Sequence, residues 1–454
     1  MSGPDSTPSR PRCSPRTPLE ERYREKRWAG AGRMDLVVEG RAYVRGKLGH
    51  WAIGIEDGRI VEIARSIRGA ERMNLGDLII LPGAIDPHVH LRDPGLTDKE
   101  DFATGTLAAA CGGVTTVLDM PNTLPPAVTA EKLAEKKEAI ARKAWVDYGL
   151  FAGCMPGADI EAMAPMAVGF KVFMGSSTGR LLVTEDKDLA RIAAQVNRTG
   201  KVLSVHAEDE NLIQHDVEST PPDHLRNRPA AAEVSAIRRL SSLPGQINVC
   251  HVSSAEGLQA LKDLPFTKEV TAHHMLLDRD SEGKAYAKVN PPLRTKEDRL
   301  ALFQAFISGE IDMLASDHAP HTIEDKEMEF DAAPSGMPGV ETTVPMMLAL
   351  MKRGTVPVEV LVSAMAEKPA SVFGLEKGRL EVGRDADLMV IDPRAASPIK
   401  VNNLHSKCGW TPFEGREAIF PHMVFVRGQL VVEDGDPVGE RVGRDVVVAK
   451  RSRS

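Results

Sequence analysis

The sequence predicts an α/β protein, a (β/α)8 TIM barrel with a small β-sandwich domain formed from both chain ends. Three observations predict it. The middle of the chain, 81–375, alternates apolar runs with charged stretches whose apolar residues recur at three-and-four spacing. Both ends are instead dense in short strand-like segments. Several apolar runs of the middle end in a histidine or an aspartate, as expected where barrel strands open onto one shared face.

Taken in order, residues 1–33 are rich in Pro, Ser, Arg and Gly and almost empty of aliphatics, so they are expected to lack fixed structure. Asp5, Glu20, Glu21 and Glu25 argue against a targeting peptide, and no signal-peptide core is present at the start; Met34 is a candidate translation start. Strand texture then begins with Leu36-Val37-Val38, Trp51 to Ile55 and Arg59 to Ile63, the last two joined by the hairpin signal Asp57-Gly58. The run Leu78-Ile79-Ile80-Leu81 reads as a buried strand whose carboxyl end leads into Asp86-Pro87-His88-Val89-His90-Leu91-Arg92. Strand texture returns at Asp387 to Asp392 and Met423 to Val432. Neither end alone offers enough strands for a core, so 34–80 plus 376–445 are expected to form one small domain beside the barrel of 81–375. Inside the barrel, helices are expected at Ala130 to Lys143, Asp186 to Asn197, Ala231 to Leu240 and Lys296 to Phe306. Strands are expected at Val114 to Leu118, Val168 to Phe173, Lys201 to Val205, Ile247 to Cys250, Glu269 to Thr271 and Asp312 to Ala315. A doubly wound sheet would alternate too, but no glycine-rich phosphate fingerprint follows the first strand.

The 454 residues suit a large barrel plus a smaller module. A net charge of -7 gives no reason to expect nucleic acid, and no apolar stretch is long enough to span a bilayer. The five cysteines, Cys13, Cys111, Cys154, Cys250 and Cys408, are scattered without a CxxC pair, which fits a reducing, cytoplasmic setting.

Chemistry concentrates at the strand ends. His88 and His90 alternate on an extended segment and so aim two imidazoles at one point. Val202-Leu203-Ser204-Val205 ends in His206, Ile247-Asn248-Val249-Cys250 in His251, and Met313-Leu314-Ala315-Ser316 in Asp317. Four histidines and one aspartate suit two divalent metals, zinc above all. Lys171 lies inside the apolar run 168–173, where an ammonium beside two dications would be repelled. As a carbamate formed with carbon dioxide it could bridge two metals; the alternatives are a lysine that snorkels to the mouth or pairs with a carboxylate. Arg92 offers a bidentate fork for a substrate carboxylate, or a loop ion pair with Asp93 or Asp98. Asn122 is either a site residue at a strand end or a turn residue. His321 is placed to meet a substrate anion, whereas His318 packs beside Asp317 and His273 and His274 are neighbouring or structural. His215, His224, His405 and His422 have no partner pattern and read as non-catalytic. The long Gly/Pro-punctuated segment from Thr322 to Val340 is a candidate mobile lid.

The strings DPHVHLRDPG, DMPNT, GFKVFMG, VHAE, NPPLR, SDHAPHT and PSGMPGVET closely resemble the dihydroorotase family of the amidohydrolase superfamily, over about Met34 to Gly435. NPPLR and the HxH are shared with allantoinases and hydantoinases. The resemblance implies a barrel with a small β-sandwich and two zinc ions. His88, His90, carboxylated Lys171 and Asp317 would hold the more buried ion, and bridging Lys171 with His206 and His251 the other. It implies Asp317 as the proton carrier, and Arg92, Asn122 and His321 around the substrate carboxylate, with Asn290, Pro334 and Gly336 as further contacts. The implied activity is reversible cyclisation of N-carbamoyl-L-aspartate to L-dihydroorotate, with a homo-oligomer or association with aspartate transcarbamoylase as possible assemblies. The rival readings are an allantoinase- or hydantoinase-like ring opener, disfavoured by Arg92 and Asn122, and a non-catalytic scaffold, disfavoured because all six ligand positions are filled.

Overall fold

The computed structural model describes residues 35–68, 71–177, 181–281 and 284–447; the expected unstructured tail and Met34 lie outside the described residues. Four strands come first: β1 (Leu36–Val44), β2 (Lys47–Glu56), β3 (Arg59–Ala64) and β4 (Glu71–Pro82). Asp57 and Gly58 join β2 to β3 with φ of 49° and 76°, the paired positive values that a type I′ hairpin turn requires. Eight strands follow: β5 (Ala84–Val89), β6 (Val114–Asp119), β7 (Asp147–Gly153), β8 (Gly169–Phe173), β9 (Leu203–His206), β10 (Ile247–Val249), β11 (Thr267–Thr271) and β12 (Met313–Ala315). They pair in parallel and in chain order. A bridge between Val89 and His318, where His90 N donates to His318 O at 2.7 Å, brings the exit of β12 back to β5. The result is a nearly closed TIM-like barrel.

The chain then returns through β13 (Leu388–Ile391), the short ladder of β14 (Ser397–Pro398) with β15 (Glu417–Ala418), and β16 (Met423–Val426), β17 (Gln429–Glu433) and β18 (Asp436–Pro437). Because β13 lies between β4 and β16, one eight-stranded sheet, ordered β18-β17-β16-β13-β4-β1-β2-β3, is assembled from both ends of the chain.

Two strand expectations need correction. The run Leu78 to Leu81 belongs to β4 of the end sheet, and the barrel begins with β5, which carries His88 within it. The run misleads because β4 is buried on both faces: Ile79 and Leu81 pack into the barrel's core, Ile80 into the sheet's own. Gly83 makes the transfer between the two sheets, since a Cβ there would lie 2.3 Å from Thr115 Oγ1. β7 was not expected at all; its sequence DYGLFAG holds an aspartate and two glycines, which weaken strand propensity.

The four expected helices form within a few residues of their expected bounds, at Ala130–Ile140, Asp186–Thr199, Ala230–Leu240 and Lys296–Ile307. Thr295 and Asp298 close a capping box on the last of these, and Gly200 ends Asp186–Thr199 in the left-handed region at φ 68°. The barrel is joined to the end sheet by a buried ion cluster. Lys377 Nζ lies 2.8 Å from Asp147 Oδ2 of β7 and 2.6 Å from Asp387 Oδ2, and Arg427 also pairs with Asp147. Removing one member of such a buried set typically costs about 3–5 kcal/mol, because the charge left behind has no partner.

Candidate metal centre and substrate pocket

The carboxyl ends of β5, β6, β9, β10 and β12 converge on a cavity lined by His88, His90, Asn122, His206, His251 and Asp317. Arg92, Phe173, Asn290, Ser335 and Gly336 stand in its wall. Three of these residues leave their strands through a left-handed backbone: Arg92 at φ 61°, His251 at 37° and Asp317 at 45°. Such conformations are costly for residues with a Cβ and cluster at functional sites, where surrounding packing holds them.

Ligand atoms of His88, His90 and Asp317 all lie within 4.8 Å of one another. His90 Nε2 is 3.1 Å and His88 Nε2 3.5 Å from Asp317 Oδ1. The other ring nitrogens are held from behind. His88 Nδ1 lies 3.0 Å from Glu269 Oε2, while Glu269 Oε1 accepts from Asn248 at 2.5 Å. His90 Nδ1 lies 2.6 Å from Asn122 Oδ1. Each Nε2 is thereby turned toward the shared point, the arrangement that outer carboxylates and amides impose on metal-binding imidazoles. Beside them, His206 Nδ1 faces His251 Nε2 at 3.1 Å. His206 Nε2 is committed to Glu208 Oε2 at 2.8 Å, and Glu208 is clamped by Arg228 Nη2 at 2.6 Å. Two imidazole nitrogens facing each other, next to a His-His-Asp triad of donors, form a donor set that fits divalent cations.

The electrostatics agree for three of the four rings. Burial holds His90 down to about 4 against the pull of Asp317, and lowers His206 and His251 as well. Neutral imidazole is the form that ligates metal. Burial and Lys171 work against protonation of His88, yet Asp317 and Cys250 outweigh them and push it up to about 9. Burial would raise Asp317, but His88 and His90 hold it well below the usual carboxylate range.

Lys171 does not line the cavity; it is fully buried on β8, with Nζ 3.0 Å from Cys250 Sγ and 5.1 Å from the Phe173 ring centroid. It neither reaches the mouth nor pairs with a carboxylate among the described residues. Arg92 is 2% exposed; Nε donates to Pro320 O at 3.2 Å, and no carboxylate lies within ion-pair range of it among the described residues. Asp93 pairs instead with Lys143 at 2.7 Å. Burial brings Arg92 down to about 10.

His321 and Pro334 stand behind the wall rather than in it. Pro334 O accepts from the buried Lys326 Nζ at 2.9 Å, which also donates to Gly336 O at 3.0 Å and fastens the 322–340 segment from inside. Gly336, at φ 138°, separates His321 from the cavity; a Cβ there would meet Ala319 O at 2.5 Å and His321 Nε2 at 3.1 Å. Asn290 Oδ1 lies 2.9 Å from His224 Nε2, so that histidine orients a wall residue. His274 is satisfied structurally by Thr271 Oγ1 at 2.8 Å and Pro291 O at 3.0 Å. Sequence reasoning missed Glu208, Arg228, Asn248 and Glu269. Glu269 carried a usable signal, a charge inside a buried strand, the same anomaly that drew notice to Lys171; Glu208 sits two residues beyond His206.

Comparison with known proteins extends this picture over most of the chain. The sequence profile of the amidohydrolase family matches residues 79–431. A protein of Methanosarcina acetivorans named dihydroorotase is 38% identical over 444 residues, covering 89% of this chain and 93% of its own. One from Halobacterium salinarum, with the same name, is 41% identical over 383 residues, covering 82% and 90%. Among solved structures, the L-hydantoinase (dihydropyrimidinase) of Arthrobacter aurescens superposes with a TM-score of 0.86 at 30% identity, covering 91% of this chain and 99% of its own. With the family profile spanning the whole barrel and these relatives aligned nearly end to end, the chain belongs to the amidohydrolase family, whose members are metal-dependent hydrolases.

Proposed function

We propose that this amidohydrolase is a dihydroorotase, interconverting N-carbamoyl-L-aspartate and L-dihydroorotate in pyrimidine (UMP) synthesis. The observation that carries the reading is Arg92, a buried guanidinium in the cavity wall with no carboxylate in ion-pair range among the described residues. A buried arginine without a counter-charge is costly unless a ligand supplies one, and dihydroorotate carries a carboxylate beside its ring. The dihydroorotase relatives support the same reading.

In this reading His88, His90, Asp317 and a carboxylated Lys171 would hold one zinc ion, and His206 and His251, sharing Lys171, would hold the second. When bound, such ions polarise a carbonyl oxygen and lower the pKa of water from 15.7 to about 7. Asp317 takes the proton of the attacking water and hands it to the departing ring nitrogen. Arg92 binds the substrate carboxylate beside Asn122, Asn290 and Gly336, while His321 and Pro334 support that wall from behind. The enzyme belongs to the cytoplasm, as a homo-oligomer or docked on aspartate transcarbamoylase, the source of its carbamoylated substrate. No described helix is long and apolar enough to cross a membrane.

The hydantoinase structures favour a second reading, a ring opener of uncharged cyclic amides. Metal content and hydrolysis of dihydroorotate and of hydantoin, measured on one purified sample, separate the two. Metal with dihydroorotate turnover is expected; hydantoin turnover alone would transfer the protein to the second reading. A metal-free protein inert toward both would make it a scaffold.

A further inference from the structure

His321 is held between two cationic donors. Its Nδ1 lies 3.1 Å from Lys99 Nζ, and its Nε2 lies 3.2 Å from Arg92 Nη2 and 3.1 Å from the carbonyl oxygen of Ser335. A neutral imidazole has one donor and one acceptor nitrogen, whereas ammonium and guanidinium groups only donate. The ring can therefore accept from Lys99 or from Arg92, but not from both. Burial, then Arg92, Lys99 and Lys326, keep it neutral. The opposing carboxylate is Asp325, 3.6 Å from Nδ1, and its Oδ2 is already engaged by Lys99 Nζ at 2.8 Å. Trp410 Nε1 donates only to the backbone oxygen of His321, at 2.8 Å.

One tautomer satisfies Lys99 and Ser335 together, the one protonated at Nε2. In that state Nε2 offers Arg92 no lone pair, and the Nη2 hydrogens stay available to the cavity. In the other tautomer Nδ1–H turns toward Asp325, Nε2 accepts from Arg92, and Ser335 O loses its donor. That would tie the guanidinium fork to the protein.

We propose that Lys99 is a positioning residue that fixes His321 in its Nε2–H tautomer and so keeps Arg92 free to bind a substrate carboxylate. Lys99 is not among the cavity's lining residues, so it acts through His321 and Arg92. The identity of the substrate rests on the dihydroorotase reading; the tautomer does not.

The test uses the full-length, metal-bearing protein with Lys99→Met and Lys99→Arg. Nitrogen NMR of labelled histidine should find His321 protonated at Nε2 in the wild type and in Lys99→Arg, and shifted toward Nδ1 in Lys99→Met. KM for dihydroorotate should rise about tenfold in Lys99→Met, consistent with weakening one charge-assisted hydrogen bond, and recover in Lys99→Arg. KM for a carboxylate-free cyclic imide should stay unchanged. A wild-type ring protonated at Nδ1 overturns the proposal, as does a Lys99→Met enzyme whose KM is unchanged or rises equally for both substrates. If Lys99→Met does not fold, the wild-type tautomer and a Lys99→Arg KM matching wild type still decide it. Wild-type protein that leaves dihydroorotate untouched removes the functional reading, while the nitrogen spectrum continues to judge the tautomer.

Discussion

The floor of the cavity is made by strand ends, and its cationic wall by loops that meet from distant parts of the chain. On the floor, His88, His206, His251 and Asp317 sit at or just beyond β5, β9, β10 and β12, and buried groups such as Glu269 and Glu208 orient two of the rings from behind. In the wall, Arg92 and Gly336 come from separate loops, and His321 backs them from a third. They are steadied by Lys99, by Lys326, and by the segment between β13 and β16, which reaches across to His321 O through Trp410 and to Glu100 Oε2 through Ser406 at 2.6 Å. The floor is thus oriented by the barrel itself, and the wall by side chains that close over it. Floor changes should therefore alter metal and turnover, and wall changes the choice of substrate.

The largest expected effect tests the floor. Asp317→Asn keeps the shape of the side chain but removes the proton carrier, so kcat should fall by about 10²–10⁴-fold while a bound substrate analogue keeps its affinity within a few-fold. Isothermal titration beside steady-state rates measures both. A variant with near-normal kcat would remove Asp317 from the proton path.

The next effect tests the wall. Arg92→Gln should cost dihydroorotate about 2 kcal/mol of binding, roughly thirtyfold in KM, the lower end for truncating a buried charged partner. Metal content should not change, and hydrolysis of an uncharged cyclic amide should be little affected. Equal losses on charged and uncharged substrates would mean that Arg92 supports the fold of the wall rather than reading a carboxylate.

These two regions also differ in how much the sequence reveals. A strand end is a local pattern, an apolar run followed by a polar residue, so His206, His251 and Asp317 were legible one strand at a time. Their convergence follows once the runs are read as a barrel. Residues that orient them are harder to see, because Glu269 meets His88 across 181 positions and Arg228 reaches Glu208 from the helical segment that follows β9. The run Leu78 to Leu81 shows the limit on the fold side. Apolarity reports burial but not which sheet provides it, and β4 is covered on both faces. The wall was the least legible, since no pattern in the sequence announces that Lys99 meets His321 or that Trp410 lies across it.

A smaller change reaches the floor from behind. Glu269→Gln should leave the ring of His88 in place but remove the carboxylate that sets its tautomer. Metal affinity should fall by about tenfold, at the lower end for such outer partners, with KM for dihydroorotate unchanged in the metal-saturated enzyme. Competition against a chelator of known affinity reads the first quantity. A shift in KM without a change in metal affinity would place Glu269 in the wall's province and weaken the division.

The smallest expected effect concerns the clasp that holds the wall. His405, between β14 and β15, lies 2.7 Å through Nδ1 from Glu341 Oε1, while its backbone N donates to Glu341 Oε2 at 2.7 Å, joining the segment between β13 and β16 to the loop beyond β12. That hydrogen bond raises His405 above its ordinary 6.5 against the opposing effect of burial, with the charge of Glu341 adding to it. A group whose folded pKa is raised stabilises fully below its unfolded value and loses that contribution as pH climbs through the folded one. The wild type should therefore lose on the order of 0.5 kcal/mol between pH 6 and alkaline pH, in the range of partly exposed ion pairs. In His405→Gln that difference should shrink, as read by urea midpoints across the same range. If the clasp steadies the wall specifically, the same pH rise should increase KM for dihydroorotate more in wild type than in His405→Gln, with metal affinity following one pH course in both. Equal changes in KM would confine the clasp to global stability and leave the wall to Lys99 and Lys326.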